Sequence, residues 1–83
     1  MASAKWSTDA LQDLEKIDQI IVRRIIEKVM WLESHFTDVV PEQLHRELKG
    51  LYKLRVGDYR AIYSIQANSI VIEAVGHRRE IYK

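Results

Sequence analysis

The apolar pattern of this chain changes period at Lys49-Gly50. Upstream, Ala10, Leu11, Leu14 and Ile17, then Ile21, Ile25, Val29 and Leu32, recur every three or four positions. Downstream, Tyr52, Leu54 and Val56 fall at every second position, and so do Tyr59, Ala61, Tyr63 and Ile65. A helix repeats every 3.6 residues and a strand every two, so the first part buries helical stripes and the second buries strand faces. Helices followed by a run of strands point to an α+β domain, with the helices gathered on one face of a mainly antiparallel sheet.

The expected order is β-α-α-β-β-β. Residues 2–6 can form an edge strand. Ser7 or Thr8 offers a capping oxygen, with Asp9 well placed in the first helical turn. Asp18 can cap or break before a second helix that runs to about Glu33. That helix carries Val22, Ile26 and Met30 beside its main stripe. A stripe so wide predicts burial against both a partner helix and a sheet, and the tight join makes an αα-hairpin. Pro41 marks a break, and Pro41-Glu42-Gln43-Leu44 can open one short helical turn before Gly50. Strands are expected over residues 51–56, 59–66 and 69–76, joined by Gly57-Asp58 and by a turn around Ala67-Asn68-Ser69. There is no repeat or linker, and 83 residues suit one domain spanning 1–83.

A two-residue turn at Gly57-Asp58 sets a definite register. Val56 pairs with Tyr59, Arg55 with Arg60, Leu54 with Ala61 and Lys53 with Ile62. One face then carries the apolar set and the other carries Lys53, Arg55 and Arg60. Arg55 and Arg60 become direct cross-strand neighbours, which is unfavourable for like charges. Such crowding calls for an anion, and arginine forks suit phosphate. If the next turn also has an even number of residues, Ile70, Ile72 and Ala74 join the core face. Val71, Glu73, Val75 and His77 then join the cationic one.

Charge supports the same focus. Residues 1–45 carry five Lys/Arg against eight Asp/Glu, and residues 46–83 carry eight against four, for a total of +1. The basic half favours anionic partners. The chain has no cysteine, which excludes disulfides and thiolate zinc sites. His35 and His45 stand ten apart without a partner at ligand spacing, so no metal is expected. No signal-peptide pattern opens the chain, and no stretch approaches the roughly 20 apolar residues of a membrane helix. A cytoplasmic protein without membrane contact is the expectation. The tail adds His77, Arg78, Arg79, Tyr82 and Lys83 directly after the last strand. Arginines can clamp phosphate, histidine can carry a proton, and a tyrosine ring can stack on an RNA base. Trp6 and Trp31 are expected in the core or at its rim, and Tyr59 and Tyr63 on the core face.

The segments LKGLYKLRVGDYRAIY and VGHRREIYK resemble the RelE/ParE superfamily of bacterial and archaeal toxins, in particular its RelE-like branch. The resemblance covers essentially the whole chain and implies the same β-α-α-β-β-β fold. It implies a toxin of a type II toxin–antitoxin system, acting as an endoribonuclease that cleaves mRNA in the ribosomal A site. Its partners would be a small cognate antitoxin, the ribosome and mRNA, with operator DNA bound only through the toxin–antitoxin complex. The family's catalytic positions fall on Lys53, Arg55, Arg60, Arg78 and Tyr82. Arg55 stands where the best-studied pattern has a lysine, which keeps charge but loses an amine able to act as a base.

The implied reaction is attack of a ribose 2′-oxygen on the adjacent phosphate, which requires neither metal nor cofactor. Arg60 and Arg78 would stabilise phosphoryl charge. Lys53 would deprotonate or orient the nucleophile, and Tyr82 would stack on a base or orient the backbone. His77 has the intrinsic basicity for proton transfer, and Glu73 and Glu80 are further candidate bases. Two other functions share the fold: a ParE-like toxin that inhibits DNA gyrase, and an inactive relative that binds antitoxin and aids promoter repression. The basic set with Tyr82 favours the nuclease.

Overall fold

The computed structural model describes residues 3–43 and 50–81. Strand β1 (Ser3–Trp6) leads into helices α1 (Thr8–Glu15) and α2 (Gln19–Ser34). A short 3-10 turn (Phe36–Asp38) and a two-residue strand β2 (Glu42–Gln43) follow. Then come β3 (Tyr52–Val56), β4 (Tyr59–Gln66), β5 (Ser69–His77) and a single helical turn α3 (Arg78–Ile81). The sheet order is β1-β5-β4-β3-β2. Every pairing is antiparallel except β1 with β5. The expected class and element order therefore hold, with β2 and α3 added.

Local chemistry explains the junctions. Ser7 caps α1 by accepting the Ala10 N–H at 3.0 Å. Ser7 also ties the helix to the sheet: its N–H donates to Ile72 O at 2.9 Å and its Oγ to Glu73 O at 3.0 Å. Asp18 caps α2 by accepting the Ile20 N–H at 2.8 Å. Capping of this kind satisfies donors that have no partner within the helix.

The core lies between the helices and one sheet face. It gathers Ala10, Ile25, Val29 and Leu32 from the helices with Leu54, Ala61, Tyr63, Ile70, Ile72 and Val75 from the strands. Trp6 and Tyr59 pack against it half-buried. Tyr63 is 1% exposed. Burial pushes its phenol above the ordinary 10.0, helped by Tyr52 and Glu42, so it stays neutral.

Two expectations fail here. The wide stripe of α2 is not buried on both sides: Ile26 is 39% and Met30 58% exposed. Only the line through Ile25, Val29 and Leu32 meets the sheet, because α1 is short and lies over β5 while α2 lies toward β1 and β3. The helical turn expected from Pro41 is also absent over its first residues. Glu42 and Gln43 pair instead with Lys53 and Tyr52 on the outer edge of β3. There the backbone gains ladder partners and Glu42 gains an arginine. Leu44 lies outside the described residues.

Candidate functional site

The β3–β4 hairpin has the expected register, with Val56 opposite Tyr59, Arg55 opposite Arg60, Leu54 opposite Ala61 and Lys53 opposite Ile62. Its two-residue turn places Gly57 at φ +60°, while Asp58 has no positive φ. That sign pattern belongs to a type II′ turn, whose twist matches the flanking strands and whose first position favours glycine. Lys53, Arg55 and Arg60 thus share the sheet face away from α1 and α2.

The crowding of Arg55 and Arg60 is resolved within the protein, and so does not by itself demand an anion. The two guanidinium groups part. Arg55 reaches outward to Glu42, with Nε donating to Oε2 at 3.1 Å and Nη2 lying 2.8 Å from Oε1. Arg60 turns toward the hairpin tip, where Nη1 donates to Gly57 O at 2.8 Å and to Tyr59 O at 2.9 Å.

The two arginines end in different states. The Arg55 side chain is 60% exposed and its charge has a carboxylate partner. Arg60 is only 9% exposed. Among the described residues no carboxylate pairs with it, and its buried Nε has no acceptor. A buried cation held only by carbonyl dipoles is costly, because its charge is taken from water without an opposite charge in return. An anion at this point would supply what the protein leaves out.

Arg78 joins the same tip. Its N–H donates to Asp58 O at 2.8 Å, and its Nε lies 3.8 Å from Asp58 Oδ1. Half of its side chain remains exposed. Arg60 and Arg78 therefore meet at Gly57-Asp58, with Lys53 and Arg55 farther along the same hairpin.

His77 does not join them. The β4–β5 hairpin turns through Ala67-Asn68, an even loop, so Ile70 and Ile72 face the core as expected. A bulge then interrupts the ladder. Tyr63 pairs with Ile72 but Ile62 pairs with Ala74, leaving Glu73 as the extra residue. Parity is reversed beyond it. Val75 is buried in the core, 5% exposed, and His77 pairs with Tyr59 on the helix side. Ala74 moves to the cationic side opposite Ile62. The placement of Ala74 in the core, and of Val75 and His77 on the cationic face, is thereby overturned. Glu73, the bulged residue itself, stays with the cationic face and accepts from Ser64 Oγ at 2.8 Å.

On the helix side, His77 lines a cleft of about 280 Å³ with Asp13, Lys16, Tyr59 and Glu80. Its ring meets Tyr59 edge-on at 5.3 Å. Its Nδ1 accepts the Arg79 N–H at 3.2 Å, so the neutral ring carries its proton on Nε2. Glu80 belongs to this cleft too. Tyr82 and Lys83 lie outside the described residues. So does His45, whereas His35 stacks on Trp31 at 4.7 Å. No group of three potential metal ligands occurs among the described residues, and no helix among them is long and apolar enough to cross a membrane.

Two neighbours of the cationic set are not expected from the sequence. The Pro41 pattern places Glu42 in a helical turn, and nothing in it links Glu42 to Arg55 thirteen positions on. Asp58 reads only as a turn residue, although a carboxylate at a hairpin tip is well placed to meet a following arginine.

A family model described as the ParE toxin of the type II toxin–antitoxin system parDE matches residues 4–82. The chain is 32% identical over 83 residues to Toxin RelG of Mycobacterium tuberculosis, covering 98% of this chain and 95% of that one. The toxin–antitoxin complex RelBE2 of Mycobacterium tuberculosis contains a chain that superposes with a TM-score of 0.80 at 31% identity, covering 93% of this chain and 98% of that one. A chromosomal ParDE system from P. aeruginosa gives 0.74 at 21% identity, covering 93% of this chain and 96% of that one, a likeness of fold alone.

Proposed function

The chain belongs to the RelE/ParE superfamily, as a toxin of a type II toxin–antitoxin system, and from that premise we propose that it is a ribosome-dependent endoribonuclease of the RelE-like kind. One observation carries the reading: Arg60 is a buried cation with no carboxylate partner among the described residues, and Arg78 stands at the same hairpin tip. A scissile phosphate suits this pair, since the charge that develops on its oxygens meets donors already held in place.

In the proposed reaction the ribose 2′-oxygen attacks the neighbouring phosphorus as the bond to the 5′-oxygen breaks, giving a 2′,3′-cyclic phosphate and a 5′-hydroxyl that takes its proton from water. Arg60 and Arg78 take the phosphoryl charge. Lys53, half-buried on the same face, orients the attacking oxygen. Glu42 adds a carboxylate to this face that can accept the 2′-hydroxyl proton, a role Lys53 fills only after losing its own. Arg55, which holds Glu42, sets where that carboxylate sits. Tyr82 is proposed to stack on a base. His77 faces the helix side and is given no part in the chemistry.

A cognate antitoxin with an acidic or amphipathic segment is the expected protein partner. The test is in-vitro translation with purified protein, followed by mapping of mRNA 5′ ends. Cuts confined to translated message are expected. Intact message together with inhibited DNA supercoiling would decide for the gyrase-directed function, the alternative favoured by the name of the matching family model.

A further inference from the structure

In a two-residue hairpin the carbonyls of the turn lie outside the ladder and ordinarily bind water. Here both are taken. Gly57 O accepts from the Arg60 guanidinium at 2.8 Å, and Asp58 O accepts from the Arg78 backbone at 2.8 Å. The Asp58 carboxylate adds a 3.8 Å ion pair to the Arg78 side chain. The β4–β5 ladder brings the Arg78 backbone to Asp58, as the next rung beyond the Tyr59–His77 pair, but it does not bring the Arg60 guanidinium there; the Gly57 carbonyl does.

We propose that the Gly57-Asp58 turn is the positioning element of the site, setting the spacing between Arg60 and Arg78. This rests on the reading of that pair as a phosphate clamp. The direction of the Gly57 carbonyl follows from the φ of +60° at Gly57, a conformation open to glycine and resisted by most side chains. Space is not the reason for the glycine, because a Cβ built there meets nothing within 4 Å. The turn thus acts on Arg60 through backbone geometry, and on Arg78 through the Asp58 backbone and carboxylate. A shift of about 1 Å in one charge relative to the other is enough to cost on the order of a hundredfold in rate.

The test compares Gly57→Val with Gly57→Asn. Both add a side chain into open space, but valine strongly resists positive φ while asparagine accepts it. Valine is expected to lose about a hundredfold of message cleavage, and asparagine to stay within about tenfold of the wild type. The NMR signals of the arginine Nε–H groups provide a second readout that needs no catalysis. Gly57→Val should move those of both Arg60 and Arg78, whereas Asp58→Asn should move that of Arg78 alone. Should the valine variant fail to fold, Gly57→Ala replaces it with the same two signals. If the wild type cleaves no message, the nuclease reading fails, while the signals still report whether the turn positions the arginines. Unmoved signals in a folded Gly57→Val protein overturn the proposal, and so does equal loss of cleavage in the valine and asparagine variants.

Discussion

The two hairpins of this sheet share the strand β4, yet only one could be followed to its end. Both turn through two residues, Gly57-Asp58 and Ala67-Asn68. From β3 to β4 the alternation of faces runs without interruption, and it puts Lys53, Arg55 and Arg60 together. From β4 to β5 it runs correctly to Ile72 and then breaks at Glu73. One extra residue sends Val75 into the core and His77 to the helix side. A register argument is therefore only as long as the stretch of ladder free of bulges.

The most severe way to sharpen this contrast is Arg60→Ala. In the proposed reaction Arg60 is a principal hydrogen-bond donor to the phosphoryl oxygens, and removing such a donor is expected to lower cleavage by about 10²–10³-fold. A translation extract with primer extension measures it. Next comes Ile72→Ala, at the last core position before the bulge. Ile72 is 0% exposed, so thermal unfolding should show a loss of about 2–5 kcal/mol.

The turns themselves differ in strain. Gly57 takes its positive φ freely, but Ala67 holds φ 54° with a side chain. Chemical denaturation should show Gly57→Ala destabilising by about 1 kcal/mol, and Ala67→Gly stabilising by roughly half that or more. The smallest effect is expected from Glu42→Gln. Its ion pair with Arg55 is largely exposed, and loss of stability should stay under about 1 kcal/mol. Its effect on cleavage should be the larger one if Glu42 takes the nucleophile's proton.

Much of this architecture was legible in the residues. Ser7 and Asp18 announced both helices, and Gly57-Asp58 announced the turn that sets the register of Arg55 and Arg60. The bulge was not legible, because Ile70, Ile72 and Ala74 continue an apolar alternation that Val75 also satisfies one step out of phase. The burial of Arg60 was hidden for another reason. Alternation assigns a face but not the depth of a side chain, and an exposed polar face was the natural expectation for an antiparallel sheet. Glu42 was missed because Pro41 suggests a helix start as readily as it does an edge strand. On α2, Ile26 and Met30 look like core residues by spacing, but no element of the described structure is placed to cover them.

His77 and Arg78 are consecutive in the chain, yet the account gives them opposite fates. The most direct measurement compares message cleavage in a translation extract by the His77→Gln and Arg78→Ala proteins. Glutamine keeps an acceptor for the Arg79 N–H that His77 now binds. Under the proposed reaction His77→Gln is expected to stay within a few-fold of the wild type while Arg78→Ala loses about a hundredfold. Loss of cleavage in His77→Gln with activity retained in Arg78→Ala would place the chemistry on the helix side of the sheet and contradict it.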